Sequence, residues 1–470
     1  MRILLLNPPR YEGKSVIREE RCEMVEKHSV LPPYSLMQIA AILREKGHVV
    51  VLIDANGFDI PYENIDMKNF ELLVFRFTPF TIDHDISAAT KFKNMNPKGK
   101  TVGICYALKM LPNLVLEKYS DIDMFVNGEY INVIPDIVDS NLDPKQVQGI
   151  TFRRNKKIIV SESKKIEFDW DKLPIPAYDL LPSLNPYYTN VPHGKPFTIM
   201  YSSKGCPFSC KYCTSAKTKI FKRSAESIVQ ELKYLKEKFK INLVMFFDET
   251  FTIDRDRVLT ICDELKRLKI KWYCNSRTNL LDYELLKVMK KSGCRGLSLG
   301  IESGSQKILD SANKGTTVEQ NMKALEDCYK VGIKVHCSFI VGLPGESKET
   351  FAETIAFLKK TLPSSMEINI FFPYPGTEFF NLVKDKAIDE KKAMWDIINH
   401  KKFIPFTVFS ELELKEMCKK AYFTIYKNPI WFIKNVLLVL RNPHDIVPGI
   451  LYTFKSIRKY FFESSEDARW

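Results

Sequence analysis

The stretch GCPFSCKYC (205–213) carries Cys206, Cys210 and Cys213 in a C-x3-C-x2-C spacing. One short loop can therefore wrap three thiolates around a single inorganic centre, and thiolates are the ligands that zinc and iron–sulfur clusters prefer. A structural zinc site normally takes four protein ligands, and His193 and Cys262 stand well away from this stretch. Three ligands on a four-iron cubane leave one iron open for a small molecule. The spacing favours such a cluster, and a zinc site with a distant fourth ligand is the alternative.

The loop resembles the signature of the radical S-adenosylmethionine (SAM) enzymes, in which an aromatic residue commonly precedes the last cysteine. Tyr212 occupies that place here. The resemblance implies that the cysteines hold a 4Fe-4S cluster whose open iron is chelated by SAM. It also implies that electron transfer into SAM yields methionine and a 5′-deoxyadenosyl radical. An electron donor such as a ferredoxin or flavodoxin is then expected.

From residue 196 onward, apolar strand-like runs alternate with amphipathic helical patterns. The runs are FTIMYSS (197–203), NLVMFFD (242–248), KWYCNSR (271–277), GLSLGIE (296–302), KVHCSFIVG (334–342) and MEINIFF (366–372). This alternation predicts an α/β unit with a parallel sheet. Six such units match the partial (β/α)6 barrel that the resemblance implies. The cysteine loop follows the first strand, at the carboxyl edge where barrels carry their chemistry.

Polar residues and turn glycines follow several of these strands and are candidates for binding SAM. A guanidinium at residue 277 can pair with a carboxylate, and GIES (300–303) and GLPGE (342–346) resemble turns of the family. The alternative is ordinary helix capping, which also places Asp, Ser and Gly in such turns. The candidate SAM-binding residues are Tyr212, Asp248, Glu249, Arg277, Glu302, Ser303, Gly342 and Pro344.

The first 150 residues read as a separate unit with five apolar strands. These are RILLLN (2–7), VVVLID (49–54), LLVFRFT (72–78), TVGICY (101–106) and MFVNGE (124–129). They predict a doubly wound, Rossmann-like sheet that binds a ligand at its carboxyl edge. NPP (7–9), residues 31–48 and NGE (127–129) resemble the cobalamin-binding domain that precedes many radical SAM barrels. Cobalamin is therefore expected as a cofactor, and the candidate contacts are Asn7, Thr78, Gly103 and Gly128.

The sequence departs from the cobalamin pattern in two places. No D-x-H-x-x-G occurs, and His84 lies in the unrelated context IDHD, so no histidine ligand to cobalt is expected. GICYALKM (103–110) stands where relatives often carry a Gly-Gly-x-His turn. A degenerate domain kept for packing is therefore the alternative to cobalamin binding.

Length and resemblance together predict the domain organisation. The 470 residues are enough for two or three domains. We expect a cobalamin-binding-like domain over 1–150, a linker over 151–195, a barrel over 196–400 and a helical region over 401–470. Scattered cysteines indicate reduced intracellular thiols. The N-terminus is unlike a signal peptide, and no apolar run reaches the roughly 20 residues of a membrane span. We therefore expect a cytoplasmic protein.

The net charge of +13 does not indicate nucleic acid, because lysines alternate with acids along helices, as on solvated helix faces. No nucleic-acid partner is expected. The last 55 residues contain basic segments rich in aromatic and aliphatic residues, at 426–443 and 448–462. Such segments can lie in a membrane interface. The alternatives are peripheral contact with the inner face of the membrane and a helical cap over the barrel.

These features predict an enzyme that activates an unreactive C–H bond. The expected reaction is cobalamin-dependent methylation of a carbon centre on a hydrophobic substrate, a small molecule or a lipid. Radical cyclisation, C–C coupling or rearrangement would use the same cofactors. Modification of transfer RNA and a non-catalytic cobalamin or redox sensor are the less favoured alternatives. The substrate itself is not readable, because substrate-contacting residues lie on variable loops.

Overall fold

The computed structural model describes residues 1–20, 22–26, 29–162, 169–189, 194–382 and 407–441. The chain divides into two compact units, unit 1 (Met1–Thr189) and unit 2 (Asn190–Trp470). The second basic segment, residues 448–462, lies outside the described residues. Within the described part of the chain, no helix is both long enough and apolar enough to span a membrane.

Unit 1 is a doubly wound sheet with a hairpin inserted after its first strand. Its strands are β1 (Arg2–Asn7), β2 (Ser15–Glu19), β3 (Cys22–Glu26), β4 (Val49–Asp54), β5 (Leu72–Arg76), β6 (Lys100–Ile104), β7 (Met124–Val126), β8 (Ile150–Arg154) and β9 (Lys157–Val160). Its helices are α1 (Tyr34–Glu45), α2 (Ile82–Met95), α3 (Pro112–Lys118) and α4 (Tyr130–Asp139). The five expected strands are confirmed. The β2–β3 hairpin, β8 and β9 were not predicted.

The strand order of unit 1 places a topological switch point beside β1. The sheet runs β4-β1-β5-β6-β7-β8-β9, and the first five strands are parallel. The order therefore reverses at β1, and open sheets of this kind bind ligands at the carboxyl ends of the strands flanking that point. Both faces of the sheet are covered, because residues Ile3 to Leu6 are fully buried. A strand covered on both faces reads as a continuous apolar run, as RILLLN does.

Unit 2 contains a six-stranded parallel sheet and a two-stranded ladder. The strands are β10 (Phe197–Met200), β11 (Ser203–Lys204), β12 (Phe221–Lys222), β13 (Leu243–Phe246), β14 (Lys271–Ser276), β15 (Cys294–Glu302), β16 (Lys334–Val341) and β17 (Ser365–Ile370). The larger sheet runs β10-β13-β14-β15-β16-β17, so neighbours in sequence are neighbours in the sheet. This sequential parallel order is that of the predicted partial barrel.

Helices follow the strands of unit 2, and all of those described except α8 begin at a side-chain cap. They are α5 (Ala225–Phe239), α6 (Arg255–Leu268), α7 (Tyr283–Lys291), α8 (Gln306–Ser311), α9 (Val318–Val331), α10 (Lys348–Thr361), α11 (Glu378–Asn381), α12 (Glu411–Tyr426) and α13 (Pro429–Leu440). Ser224, Asp254 and Asp282 each accept a backbone N–H at the start of a helix. Such caps satisfy amide donors that the helix cannot.

The last two described helices cover the edge of the parallel sheet. Strand β17 is at that edge, where backbone N–H groups lack a strand partner. The hydroxyl of Tyr422 accepts the N–H of Ile368 at 3.1 Å, and the hydroxyl of Tyr426 accepts the N–H of Met366 at 3.4 Å. The indole of Trp431 donates to the carbonyl of Pro363 at 2.8 Å. The two described helices of the expected C-terminal region are therefore anchored on the β17 edge of the parallel sheet.

Candidate functional site

The cysteine loop of unit 2 is closed by a short antiparallel ladder. Strand β11 pairs with β12 on the two sides of the loop. Inside it, the backbone N–H of Thr218 donates to the carbonyl of Cys206 at 3.0 Å, and the N–H of Lys217 donates to the carbonyl of Phe208 at 2.8 Å. The N–H of Cys206 donates in turn to the Thr218 hydroxyl at 2.9 Å. The loop is therefore closed by hydrogen bonds of its own residues.

Gly205 begins this loop in a conformation that other residues cannot adopt. Its φ is +94°, and a Cβ at this position would lie 2.1 Å from the carbonyl oxygen of Lys219. The contact would be with backbone on the returning side of the loop, so no side-chain rotation could relieve it. Glycine is required here for close backbone approach.

The three cysteines have the donor set of an iron–sulfur cluster. All three are cysteines outside disulfides, with Cys210 buried and Cys206 and Cys213 half-buried. Burial raises the pKa of Cys206 above its usual range. Among the described residues, no three His, Cys, Asp or Glu side chains gather to hold one metal ion. In a cubane each thiolate ligates a different iron, so this donor set fits a 4Fe-4S cluster.

Arg277 follows β14 and reaches the middle of the cysteine loop. The loop and this strand end were both predicted to lie at the carboxyl edge of the sheet. Its guanidinium donates to the sulfur of Cys210 at 3.4 Å and lies 3.8 Å from the ring centroid of Phe208. A second nitrogen donates to the backbone carbonyl of Lys314. The side chain is buried, so its positive charge acts on the sulfur without solvent screening.

A buried ion pair joins the end of β15 to the same loop. The ammonium of Lys314 donates to the carboxylate of Glu302 at 2.7 Å and lies 3.3 Å from the hydroxyl of Tyr212. Both charged side chains are less than 10% exposed. Burial raises the pKa of Tyr212 well above its usual value, so the phenol stays protonated. Glu302 and Tyr212 were predicted, whereas Lys314 was not.

The backbone of β15 is shaped to aim Glu302 at this pair. The strand register shifts between Gly300 and Glu302, and Glu302 has a φ of +66°. Bulges of this kind redirect a side chain at the end of a strand. A Cβ on Gly300 would lie 2.3 Å from the Glu302 carboxylate and 2.8 Å from the Lys314 ammonium. The glycine of GIES therefore makes room for the ion pair.

Asp248 and Glu249 support the start of the loop. The Asp248 carboxylate is fully buried and accepts the backbone N–H of Ser202 at 2.7 Å and the hydroxyl of Ser203 at 2.6 Å. The Glu249 carboxylate accepts the N–H of Gly205 at 3.1 Å. These contacts give both residues a role in holding the loop; their binding of SAM stays a prediction.

Ser303 and the GLPGE turn form part of the packing around the loop. The hydroxyl of Ser303 lies 3.1 Å from that of Thr354. Gly342 has a φ of +84° and donates its N–H to the Glu346 carboxylate, whose pKa burial raises to about 7. The carbonyl of Pro344 accepts the Ser311 hydroxyl at 3.0 Å. Tyr212 packs against an apolar cluster of Ile308, Ala312, Leu343, Phe371 and Phe379.

In unit 1, the unpredicted β2–β3 hairpin binds the carboxyl edge of the sheet. Arg18 pairs with Asp85 through two contacts of 2.6 and 2.9 Å, and both side chains are almost fully buried. The same guanidinium donates to the carbonyls of Pro8 at 3.0 Å and Pro9 at 3.1 Å. The hairpin is therefore fixed to the residues that follow β1 and β5.

Two buried glutamates of the hairpin bind other groups at this edge. The Glu23 carboxylate accepts the N–H of Tyr106 at 2.7 Å and that of Ala107 at 3.2 Å, just after β6. The Glu19 carboxylate accepts the N–H at the start of α1 at 3.2 Å. Burial raises the pKa of both carboxyls to about 7, and nearby Arg76 opposes that shift. The carboxylates of the hairpin thus accept hydrogen bonds from backbone N–H groups that could otherwise bind a ligand.

The four candidate cobalamin contacts have partners within unit 1. The Asn7 amide donates to Asp54 at 2.8 Å, and the N–H of Thr78 donates to a carboxylate of α2 at 3.1 Å. A Cβ on Gly103 would lie 2.7 Å from the Phe77 ring, and one on Gly128 would lie 3.0 Å from the Gly149 backbone. These contacts explain how the four residues are held within unit 1. Their assignment stays a prediction.

His84 is packed between two tyrosines near the same edge. Its ring centroid lies 5.5 Å from that of Tyr11 and 5.3 Å from that of Tyr62. A ring nitrogen lies 3.3 Å from the carbonyl of Pro9. These contacts are those of a packed side chain, and the absence of a role on cobalt stays a prediction.

Comparison with known proteins agrees with this site. Residues 200–358 match the family model of the radical SAM superfamily. An uncharacterised methyltransferase of Pyrococcus horikoshii is 30% identical over 456 residues, which cover 93% of this chain and 95% of that protein. The anaerobic magnesium-protoporphyrin IX monomethyl ester cyclase of Rubrivivax gelatinosus is 28% identical over 409 residues, 82% of this chain and 71% of that protein.

A solved structure with the same fold covers both units. It is the radical SAM methyltransferase TsrM from Kitasatospora setae, solved with cobalamin and a 4Fe-4S cluster bound. The TM-score is 0.65 at 15% identity, over 82% of this chain and 75% of TsrM. At this identity the likeness establishes the fold. The fold and the cysteine loop define an enzyme that uses SAM and a 4Fe-4S cluster.

The chain belongs to the radical SAM superfamily, in the family of the Pyrococcus horikoshii methyltransferase. The predicted enzyme class is confirmed. Lys314 is the site residue that the sequence analysis missed. It lies in the turn after α8, apart from the strand ends where candidates were sought.

Proposed function

We propose that this protein is a cobalamin-dependent radical SAM methyltransferase that acts at an unreactive carbon of a hydrophobic substrate. The observation that carries the proposal is the convergence of Arg277 and Glu302 on the cysteine loop, Arg277 at Cys210 and Glu302 through Lys314 at Tyr212. Three segments distant in sequence there supply thiols, a cation and a carboxylate. The methyltransferase half rests on the Pyrococcus horikoshii relative.

The residues of unit 2 have distinct parts in this proposal. Cys206, Cys210 and Cys213 would hold the cluster, and Arg277 would offset the negative charge of its thiolates. Glu302 would accept hydrogen bonds from the amine or ribose of SAM. When bound, the cluster supplies the electron that cleaves SAM to methionine and a 5′-deoxyadenosyl radical. Buried packing around Tyr212 would keep water from that radical.

Cobalamin, the methyl carrier in this proposal, is assigned to unit 1 from its fold. The switch point beside β1 is where doubly wound sheets bind ligands, and TsrM shares this fold. Because the hairpin occupies the carboxyl edge, no individual residue is assigned to the corrinoid. Gel filtration of the chain loaded with hydroxocobalamin tests binding, and an unchanged visible spectrum in His84→Ala tests the absence of histidine ligation. Loss of all corrinoid on the column would contradict this part.

A hydrophobic substrate or a membrane surface is supported by the outer face of α13. Its exposed apolar residues, each between 40% and 62% exposed, are Ile430, Phe432, Ile433, Val436, Leu437 and Leu440. Apolar surface of this kind on one helix marks a site of contact. Two basic residues of this segment contact the protein and not the exposed apolar face. Lys434 donates to the carbonyl of Thr361 at 2.6 Å, and Arg441 donates to that of Tyr329 at 3.2 Å.

Vesicle flotation tests this membrane contact. Because Lys434 and Arg441 donate to carbonyls of the protein, we expect the exposed apolar residues of α13 to be responsible for binding to phosphatidylglycerol vesicles. Ile433→Asp combined with Leu437→Asp should abolish flotation, whereas Leu412→Asp, at an exposed position of α12, should not. If wild-type protein stays with the soluble fraction, membrane contact is removed from the proposal, and the radical chemistry is unaffected.

Cleavage of SAM is the decisive test of the enzyme. After anaerobic reconstitution, the full chain should bind about four irons and form 5′-deoxyadenosine from SAM in the presence of dithionite. The variant with all three cysteines changed to alanine should do neither. SAM with a deuterated methyl group should label the corrinoid in the loaded protein. Absence of 5′-deoxyadenosine from iron-replete protein would contradict the proposal.

Radical cyclisation is the second candidate, and the Rubrivivax gelatinosus cyclase supports it because it matches 82% of this chain. The two candidates differ in the fate of the SAM methyl group. Methylation transfers the deuterium label to a product, whereas cyclisation forms 5′-deoxyadenosine without labelling any product. Lipid and metabolite extracts of a deletion strain supply substrates for this comparison.

A further inference from the structure

The turn between α8 and α9, residues 312–315, contacts the cysteine loop at consecutive positions. The carbonyl of Ala312 accepts the N–H of Lys211 at 3.0 Å. The Asn313 amide donates to the hydroxyl of Ser209 at 2.8 Å and to its carbonyl at 3.2 Å. These contacts hold the middle of the loop, on either side of Cys210.

Lys314 adds two further links from the same turn. Its ammonium joins Glu302 to Tyr212, and its backbone carbonyl accepts a hydrogen bond from Arg277, which also donates to Cys210. The turn itself is fixed, because the N–H of Lys314 donates to the carbonyl of Leu309 at 2.9 Å. A single residue thus connects two strand ends with two positions of the cysteine loop.

We infer that Lys314 is a positioning residue that couples the SAM-binding carboxylate of Glu302 to the cluster loop. This inference rests on the proposed function. The ammonium compensates a buried carboxylate that would otherwise be costly, and it holds that carboxylate beside the loop. It also places a buried cation at Tyr212, the residue before Cys213, in addition to Arg277 at Cys210. Positive charge near a cluster favours its reduced form.

Lys314→Met tests the inference, because methionine keeps the backbone carbonyl and most of the stem. We expect iron content to stay near wild type, since the carbonyl contact with Arg277 remains. The midpoint potential of the cluster should fall, and affinity for SAM should decrease about tenfold, the lower end of the range for hydrogen bonds to charged groups. Lys314→Arg should restore the potential towards the wild-type value.

The matched control is Lys307→Met, which removes the same charge from an exposed position of α8. It should leave both the potential and the affinity unchanged. If Lys314→Met fails to fold because Glu302 is left uncompensated, the double variant with Glu302→Gln removes that charge. The double variant should fold and bind SAM as Glu302→Gln alone does, because Lys314 acts through that carboxylate; a further loss of affinity would overturn the inference.

The outcomes separate this inference from the proposed function. A wild-type protein that cleaves SAM, together with Lys314→Met of unchanged potential and affinity, would overturn the inference alone. A wild-type protein that binds iron but does not cleave SAM would overturn the proposed function. Potentiometric titration followed by electron paramagnetic resonance would still decide whether Lys314 acts on the cluster, because that measurement needs no turnover.

Discussion

Replacing Gly205 by alanine should prevent the cysteine loop from holding its cluster. The residue has a φ of +94°, and the added Cβ would lie 2.1 Å from the carbonyl oxygen of Lys219. Ordinary contact begins near 3.4 Å, so the backbone of the loop must separate by about 1.3 Å. A movement of this size would break the hydrogen bonds that close the loop between Cys206 and Thr218.

The expected cost has two parts. Backbone strain at a positive φ contributes about 1–3 kcal/mol. The three hydrogen bonds that cross the loop contribute about 1 kcal/mol each, so with the strain the local cost is about 4–6 kcal/mol. This cost falls on the loop and not on the parallel sheet. The protein should therefore fold and lose its iron.

The measurement is iron and sulfide per chain after anaerobic reconstitution, with circular dichroism to confirm folding. Gly332→Ala is the matched control: its φ is +79°, but the nearest atoms to an added Cβ are 3.8 Å away on the flexible side chain of Lys290. This control should lose about 1 kcal/mol of stability and bind a full complement of iron. Wild-type iron content in Gly205→Ala, or equal loss in both variants, would refute the steric argument.

Three further predictions concern buried charges. Gly300→Ala would place a Cβ 2.3 Å from the Glu302 carboxylate, so affinity for SAM measured by calorimetry should fall about tenfold with iron content unchanged. Arg18→Met leaves the carboxylate of Asp85 buried without its cation, and chemical denaturation should show a loss of about 3–5 kcal/mol; adding Asp85→Asn should recover much of it. Raising the pH from 5 to 8 should lower the free energy of unfolding, because folding raises the pKa of Glu23 to about 7 and so favours the protonated carboxyl. Denaturation of Glu23→Gln should show a weaker dependence on pH, and an unchanged dependence would contradict this.

The sequence was sufficient for the strands and the cysteine loop because both depend on local patterns. Strands covered on both faces read as continuous apolar runs, and the spacing from Cys206 to Cys213 lies within one loop. Arg277 and Glu302 could be predicted because carboxyl ends of parallel strands share one edge. The ends of strands β14 and β15 could be located in the sequence, so the approach of Arg277 and Glu302 to the loop could be expected.

One physical reason explains why neither Lys314 nor the β2–β3 hairpin could be predicted. Lys314 enters the site from a turn after a helix, and nothing in its local sequence distinguishes it from a solvated lysine. The hairpin contains Arg18, Glu19 and Glu23, and charged residues of these types are usually exposed to solvent. They are buried because each has a partner distant in sequence. Such pairings appear only in three dimensions.

The charges around the loop explain why Lys314 and Arg277 belong to one arrangement. Three thiolates would bring negative charge to a loop in which Cys210 is buried and Cys206 and Cys213 are half-buried, and a carboxylate buried beside them would increase it. Lys314 neutralises Glu302 at 2.7 Å, so the charge of Arg277 stays available for the sulfur of Cys210. The cation and the carboxylate that follow β14 and β15 therefore each have their own partner beside the loop.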